Sequence, residues 1–156
     1  MIKSITTFTL SDEIFAVDMQ KVPIILKAED YLPQDISLQK IQSKFKYDQT
    51  DVHLLNLYKI LKLNPKMITN ESRILVGEHK GITFGFVVEK VNEIMNVNDN
   101  IKRTIPFLEN TTYSCCNVII EVMDQKYLLI DINEVLKYLD TNQSGILNTD
   151  EINETY

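Results

Sequence analysis

Apolar residues recur in short alternating runs along most of this chain, and small polar clusters separate the runs. Ile5, Phe8 and Leu10 alternate with threonines, Ser11-Asp12-Glu13 makes a turn, and Ile14 to Val17 resume the pattern. That predicts an opening β-hairpin. A second hairpin is predicted within residues 72–97, where Ile74-Leu75-Val76 and Ile82 to Val88 flank the polar Glu78-His79-Lys80-Gly81. Gly81 is the residue best suited to a positive φ at the turn. Val91, Ile94, Met95 and Val97 carry the apolar signal on behind Glu89-Lys90, so a third strand leaves this hairpin at a bend. Gly85, inside the second run, marks a kink or the close approach of another backbone. A third hairpin runs from Asn117 to Met123, turns at Asp124-Gln125-Lys126 and returns from Tyr127 to Ile132.

The order of parts repeats. Phe15-Ala16-Val17 with Lys21-Val22 and Ile25 echoes Phe86-Val87-Val88 with Lys90-Val91 and Ile94. His53 to Leu61 likewise echoes Leu128 to Leu136, and in each a buried strand ends at Asn56 or Asp131, whose side chain can cap a short helix. Two similar β-rich halves follow, about 1–64 and 65–139, with Asn64-Pro65 as the boundary. Glu29 to Ser37 reads as a loop, Leu38 to Tyr47 as helix or strand, and Asn98 to Thr112 as a polar connection. The fold class is all-β with a few short helices.

Composition narrows the functional classes. A chain of 156 residues with 44% hydrophobic content can bury one good core, or two small ones sharing a wall. The longest apolar runs, such as Leu128 to Ile132, are too short to cross a bilayer, and the N-terminus alternates where a secretory signal would be unbroken. A cytoplasmic protein with no direct membrane insertion is expected. A net charge of −6 supplies no field to hold a polyanion, so nucleic acid is not an expected partner. The basic aromatic stretch Lys40 to Tyr47 is short and reads as a solvated strand or turn. Cys115 and Cys116 are adjacent and cannot staple distant parts of the chain; they read as small buried apolar residues.

Candidate chemistry is sparse. His53 lies in a strand pattern and His79 in the predicted hairpin turn, and neither has a nucleophile or ligand at useful spacing. The four glycines form no phosphate-cradling loop, and the acids from Asp48 to Asp51 read as a solvated loop. No catalysis is expected. The tail, residues 140–156, fits a calcium loop: Asp140, Asn142, Ser144, the Ile146 carbonyl, Asn148 and Glu151 fall at the ligand positions, with Gly145 at the sharp turn. Against it stand only two strongly placed carboxylates, no second loop and barely one turn of exit helix. The readings left open are a weak Ca2+ site, which would make the chain a calcium-responsive regulator, and a helix ending near Asp140 before an acidic tail.

Phe8-Thr9-Leu10-Ser11-Asp12-Glu13, the step from Val17-Asp18 to Lys21-Val22, and above all Gly85 to Ile94 resemble the CheW-like domain of bacterial chemotaxis coupling proteins, from about residue 5 to 139. The resemblance implies one domain of two intertwined five-stranded barrels of SH3-like shape sharing a hydrophobic core. It implies an adaptor that binds the cytoplasmic hairpin tip of a chemoreceptor and the regulatory domain of the chemotaxis histidine kinase. Val22, Gly85 and Val91 correspond to the receptor-facing groove, a shallow apolar trough for a helical tip; the alternative for Val22 and Val91 is plain core packing. The sequence also departs from the family. The usual Arg-Gly pair is absent from Phe45-Lys46-Tyr47-Asp48-Gln49, and Lys46 keeps a charge without the guanidinium fork.

Overall fold

Two curled sheets and two short helices make up the computed structural model, which describes residues 2–33, 44–97, 102–104, 115–116 and 118–142, with backbone alone at 102–104 and 138–142. The first sheet is built from β1 (Ser4–Leu10), β2 (Glu13–Asp18), β8 (Lys90–Asn96), β9 (Lys102–Thr104), β10 (Val118–Val122) and β11 (Gln125–Ile130), in the order β8-β1-β2-β11-β10-β9. The second holds β3 (Ile24–Lys27), β4 (Lys44–Tyr47), β5 (Thr50–Leu54), β6 (Arg73–His79) and β7 (Ile82–Val88), in the order β3-β6-β7-β5-β4. Helix α1 (Leu57–Leu61) follows β5, and α2 (Ile132–Asn142) follows β11.

The expected repeat is present, and it is interlocked. Each half supplies a hairpin whose third strand crosses to the other sheet: β3 pairs antiparallel with β6, and β8 with β1. The strand before each helix returns parallel to a hairpin, β5 to β7 and β11 to β2. The equivalent pairs in those ladders are Leu54 with Gly85 and Leu129 with Ala16. Equivalence by turns and ladders therefore sets Phe15-Ala16-Val17 on Phe84-Gly85-Phe86, two residues earlier than the apolar echo Phe86-Val87-Val88. Within an unbroken apolar run periodicity cannot fix register; turns do. The steps Lys21-Val22 and Lys90-Val91 remain equivalent.

Four hairpins close through two-residue turns with both residues at positive φ: Ser11-Asp12, Asp48-Gln49, Lys80-Gly81 and Met123-Asp124. That conformation matches the right-handed twist of the flanking strands. The last of these falls earlier than the expected Asp124-Gln125-Lys126. Two further segments differ from expectation. Ala28 to Asp30, at the edge of the expected loop, form a 3-10 turn, and Lys102 to Thr104, inside the expected polar connection, form β9 against β10. A three-residue strand of polar composition carries no alternation to detect.

Both helices start as the side chains dictate. Asn56 accepts from the Lys59 amide at 3.2 Å, and Asp131 accepts from the Asn133 amide at 3.0 Å. Each thereby satisfies an amide that has no partner within the helix. A continuous core of Phe8, Phe15, Phe84, Phe86, Leu57 and Leu61, among others, joins the two sheets and helices. A second cluster, around Ile5, Ala16, Ile120 and Tyr127, fills the other face of the first sheet. Cys115 and Cys116 are buried in the continuous core as free thiols. The Cys116 thiol donates to Cys115, which lowers the pKa of Cys115 and raises that of Cys116. Among the described residues no helix is long and apolar enough to cross a membrane.

Candidate functional site

The crossing points, where each hairpin hands its third strand to the other sheet, hold two of the three residues singled out from the sequence, Val22 and Val91. Val22 stands just before β3 and Val91 is the second residue of β8. Val22 is wholly buried, and Val91, half-buried opposite Phe8, packs on the same core. Gly85 lies in the buried middle of β7, paired with Val76 on one side and Leu54 on the other. A Cβ at Gly85 would sit 3.0 Å from the Leu75 carbonyl oxygen, so its bare backbone serves close packing. Of the three, Val91 is the one with side-chain surface to offer. Farther along β8, Ile94 is 53% exposed, and Ile24 on the equivalent strand β3 is 36% exposed.

Sequence reasoning passed over two features of these crossings. At the first, Gly77 of β6 faces the turn leading into β3, and a Cβ there would lie 2.0 Å from the Lys21 carbonyl oxygen. Only glycine lets that backbone pass. At the second, Glu89 links β7 to β8 and accepts hydrogen bonds from the Tyr58 hydroxyl and the Ser11 amide, both at 2.5 Å. Its own amide donates to the Thr9 carbonyl. Burial, and after it the Glu89 carboxylate, raise the pKa of Tyr58. A lone glutamate between apolar runs gives no sequence signal for this; a tyrosine two residues past a helix cap gives little more.

β8 pairs with β1 through a bulge between Thr7 and Phe8. The Thr7 hydroxyl bridges it, accepting from the Glu93 amide at 3.0 Å, and Asn92 donates to the Thr9 hydroxyl at 3.0 Å. Such a bulge re-aims the side chains that follow it, here Ile94 among them.

On the β4–β5 hairpin, where the resemblance expected an Arg-Gly pair, Asp48-Gln49 make the turn and Lys46 pairs with Asp51 at 3.0 Å, with Lys44 at 3.9 Å. The bond from Lys46 holds the Asp51 carboxyl below its ordinary pKa. This face is a solvated charge cluster, and Lys46 is occupied within it. Among the described residues no group of three histidines, cysteines or carboxylates is placed to hold a metal ion. Of the calcium-loop residues, Asp140 and Asn142 fall in the last turn of α2, while Ser144, Ile146, Asn148 and Glu151 lie outside the described residues.

An open cleft of about 290 Å³ lies where the ends of β2 and β11 meet the start of α2. It is lined by Ile2, Val118 and Leu129 together with the polar Asp18, Lys21 and Asn133, and Leu129 is itself nearly buried.

Comparison with known proteins bears on most of the chain. A family model described as CheW-like domain matches residues 4–140. Among solved structures, the crystal structure of the scaffolding protein TtCheW from Thermoanaerobacter tengcongensis superposes with a TM-score of 0.68 at 21% sequence identity, covering 87% of this chain and 88% of that one. No curated protein sequence matches.

Proposed function

The chain belongs to the family of CheW-like domains, and from that premise we propose that it is a non-enzymatic adaptor of chemotaxis signalling, joining a chemoreceptor to the chemotaxis histidine kinase by protein–protein contacts in the cytoplasm. The observation that carries this reading is the extent of the family match, residues 4–140, which takes in every strand of both sheets. The receptor's helical tip would lie along β8, where half-buried Val91 and exposed Ile94 offer apolar surface on a strand stiffened by the Glu89 and Thr7 contacts. Val22 and Gly85 would act indirectly, through the close packing of the core behind that strand. A helix laid in a shallow apolar groove gains from a few such anchors, and truncating one in the centre costs 2 kcal/mol or more in typical interfaces.

The kinase regulatory domain would meet a separate face. Because Lys46 is engaged with Asp51, contacts on the first half would depend on shape and apolar surface more than on a forked arginine contact. The test is co-purification of the full chain with a receptor cytoplasmic tip and with the kinase regulatory domain. Ile94→Asp, a change at an exposed position, is expected to lower receptor affinity at least tenfold while leaving kinase binding and stability intact. Failure of the well-folded wild type to bind either partner would refute the adaptor reading.

A further inference from the structure

Both cysteines of the chain are neighbours in sequence, and the coupling role makes no use of them. Cys115 and Cys116 are each 1% exposed within the continuous core, and the Cys116 thiol donates to the Cys115 sulfur, so the two sulfur atoms are already in contact. The peptide that joins them has a second tie. Its carbonyl, that of Cys115, accepts from the Asp131 amide at 2.8 Å. Asp131 caps α2, and Ile132, Val135 and Leu136 behind it are packed in the same core. One hydrogen bond therefore links the thiol pair to the start of this helix.

We propose that Cys115 and Cys116 form a redox-modification site, oxidised by a hydroperoxide to a reversible disulfide that alters the backbone contact at the α2 cap. In the first step the Cys115 sulfur, as thiolate, attacks one oxygen of the peroxide. The O–O bond breaks, and its electron pair leaves on the second oxygen, which takes up the proton that Cys115 gave up. Cys115 is then a sulfenic acid. The Cys116 sulfur attacks it, the S–O bond breaks, and the departing hydroxide takes the Cys116 proton. Two thiols and one hydroperoxide thus give one disulfide, one alcohol and one water, with two electrons passed to the peroxide.

Burial selects the oxidant. A peroxide close to water in size reaches the pair through brief local opening, whereas a bulky disulfide such as oxidised glutathione does not. Donation from Cys116 favours the Cys115 thiolate, which makes Cys115 the first to react and Cys116 the resolving thiol. Across a trans peptide neighbouring Cα atoms stand about 3.8 Å apart, short of the roughly 4.4 Å lower limit of ordinary disulfides. Closing the ring therefore twists the linking peptide, and with it the Cys115 carbonyl that Asp131 holds. Disulfides strained in this way are readily reduced, as a reversible switch requires. The inference does not rest on the coupling role, so either can fail without the other.

The test treats the reduced, full-length, 15N-labelled chain with hydrogen peroxide under native conditions. Thiols counted after unfolding are expected to fall from two per chain to none, with no linked dimer on a non-reducing gel, and dithiothreitol is expected to restore both. The Asp131 amide resonance is expected to move on oxidation and to return on reduction, which separates it from any effect of methionine oxidation. Oxidised glutathione leaves both readouts unchanged. Cys116→Ser stops at the sulfenic acid, which dimedone traps on Cys115. The proposal is overturned by thiols that survive peroxide until the chain is unfolded, by a disulfide-linked dimer, or by thiol loss that dithiothreitol does not reverse. It is equally overturned if glutathione disulfide oxidises the pair as readily, or if the Asp131 amide stays in place once both thiols are gone. The wild-type readouts decide the matter even if Cys116→Ser perturbs the core.

Discussion

Tyr58 donates its phenolic hydrogen to Glu89 at 2.5 Å, joining the helix of the first half to the residue at which the second half changes sheets. The same carboxylate accepts the Ser11 amide, so one side chain pins three pieces of chain that are distant in sequence. Glu89→Ala leaves the buried Tyr58 hydroxyl without its acceptor, and a loss of about 2–3 kcal/mol is expected. Tyr58→Phe removes the donor and is expected to cost about 1 kcal/mol, because no buried polar atom of its own is stranded. Urea denaturation of both variants and the double variant gives the coupling. A coupling within about 0.5 kcal/mol of zero, the additivity expected of independent sites, would show that the two residues act independently.

Stability should fall on the alkaline side. Tyr58 has its pKa raised by burial and by Glu89, so the folded protein keeps the phenolic proton at pH values where the unfolded chain has lost it. The contribution is fully present below about pH 10, the ordinary tyrosine value, and is lost as pH rises above it. Tyr127 adds to the same trend, its pKa raised by burial and then by Glu93. Between pH 8 and 11 the melting temperature of the wild type is expected to drop more steeply than that of Tyr58→Phe. Parallel curves would remove Tyr58 as the cause.

The two strand glycines of the second hairpin, Gly77 and Gly85, should respond differently to an added methyl group. Gly77→Ala drives a Cβ into the Lys21 carbonyl, where both parties are backbone, and is expected to cost at least about 3 kcal/mol, the upper end for overpacking. Gly85→Ala meets one carbonyl and two side-chain methyls at 3.0–3.2 Å, which can yield, and is expected to cost about 1 kcal/mol. Chemical denaturation ranks them; the reverse order would mean that the turn before β3 relaxes more readily than the middle of β7.

Met123 occupies the first position of a two-residue turn at φ 51° and is 86% exposed, so its side chain gains little from burial and its backbone is held in the left-handed region. Asn tolerates that region better. Met123→Asn is expected to stabilise the protein by about 0.5–1 kcal/mol, in the range of other compatible turn substitutions, read as a rise in melting temperature.

Much of this architecture was legible in the sequence because alternation and turns are local signals. The three hairpins, the caps Asn56 and Asp131 and the Lys-Val steps at both crossings could all be read from neighbouring residues. What escaped was set by distance. Gly77 looked like an ordinary strand glycine until the turn at Lys21 was laid across it, and Glu89 looked like a solvated bend residue until Tyr58 and Ser11 converged on it. Met123 hid the last turn because methionine is a poor guide to positive φ. Val22, Gly85 and Val91 were singled out as groove residues by family resemblance alone, and burial distinguishes them: Val91 keeps side-chain surface, while Val22 and Gly85 are buried.

The exchange of β3 and β8 between sheets carries a further consequence for how the polypeptide can be divided. Severing it near Asn64-Pro65 would leave an amino-terminal fragment with β1, β2 and β3 but without the ladders that β8 and β6 provide, and a carboxy-terminal fragment in the reciprocal condition. Each would be an unfinished piece whose missing edge exists only in the other, so the fragments would be soluble together and aggregation-prone apart.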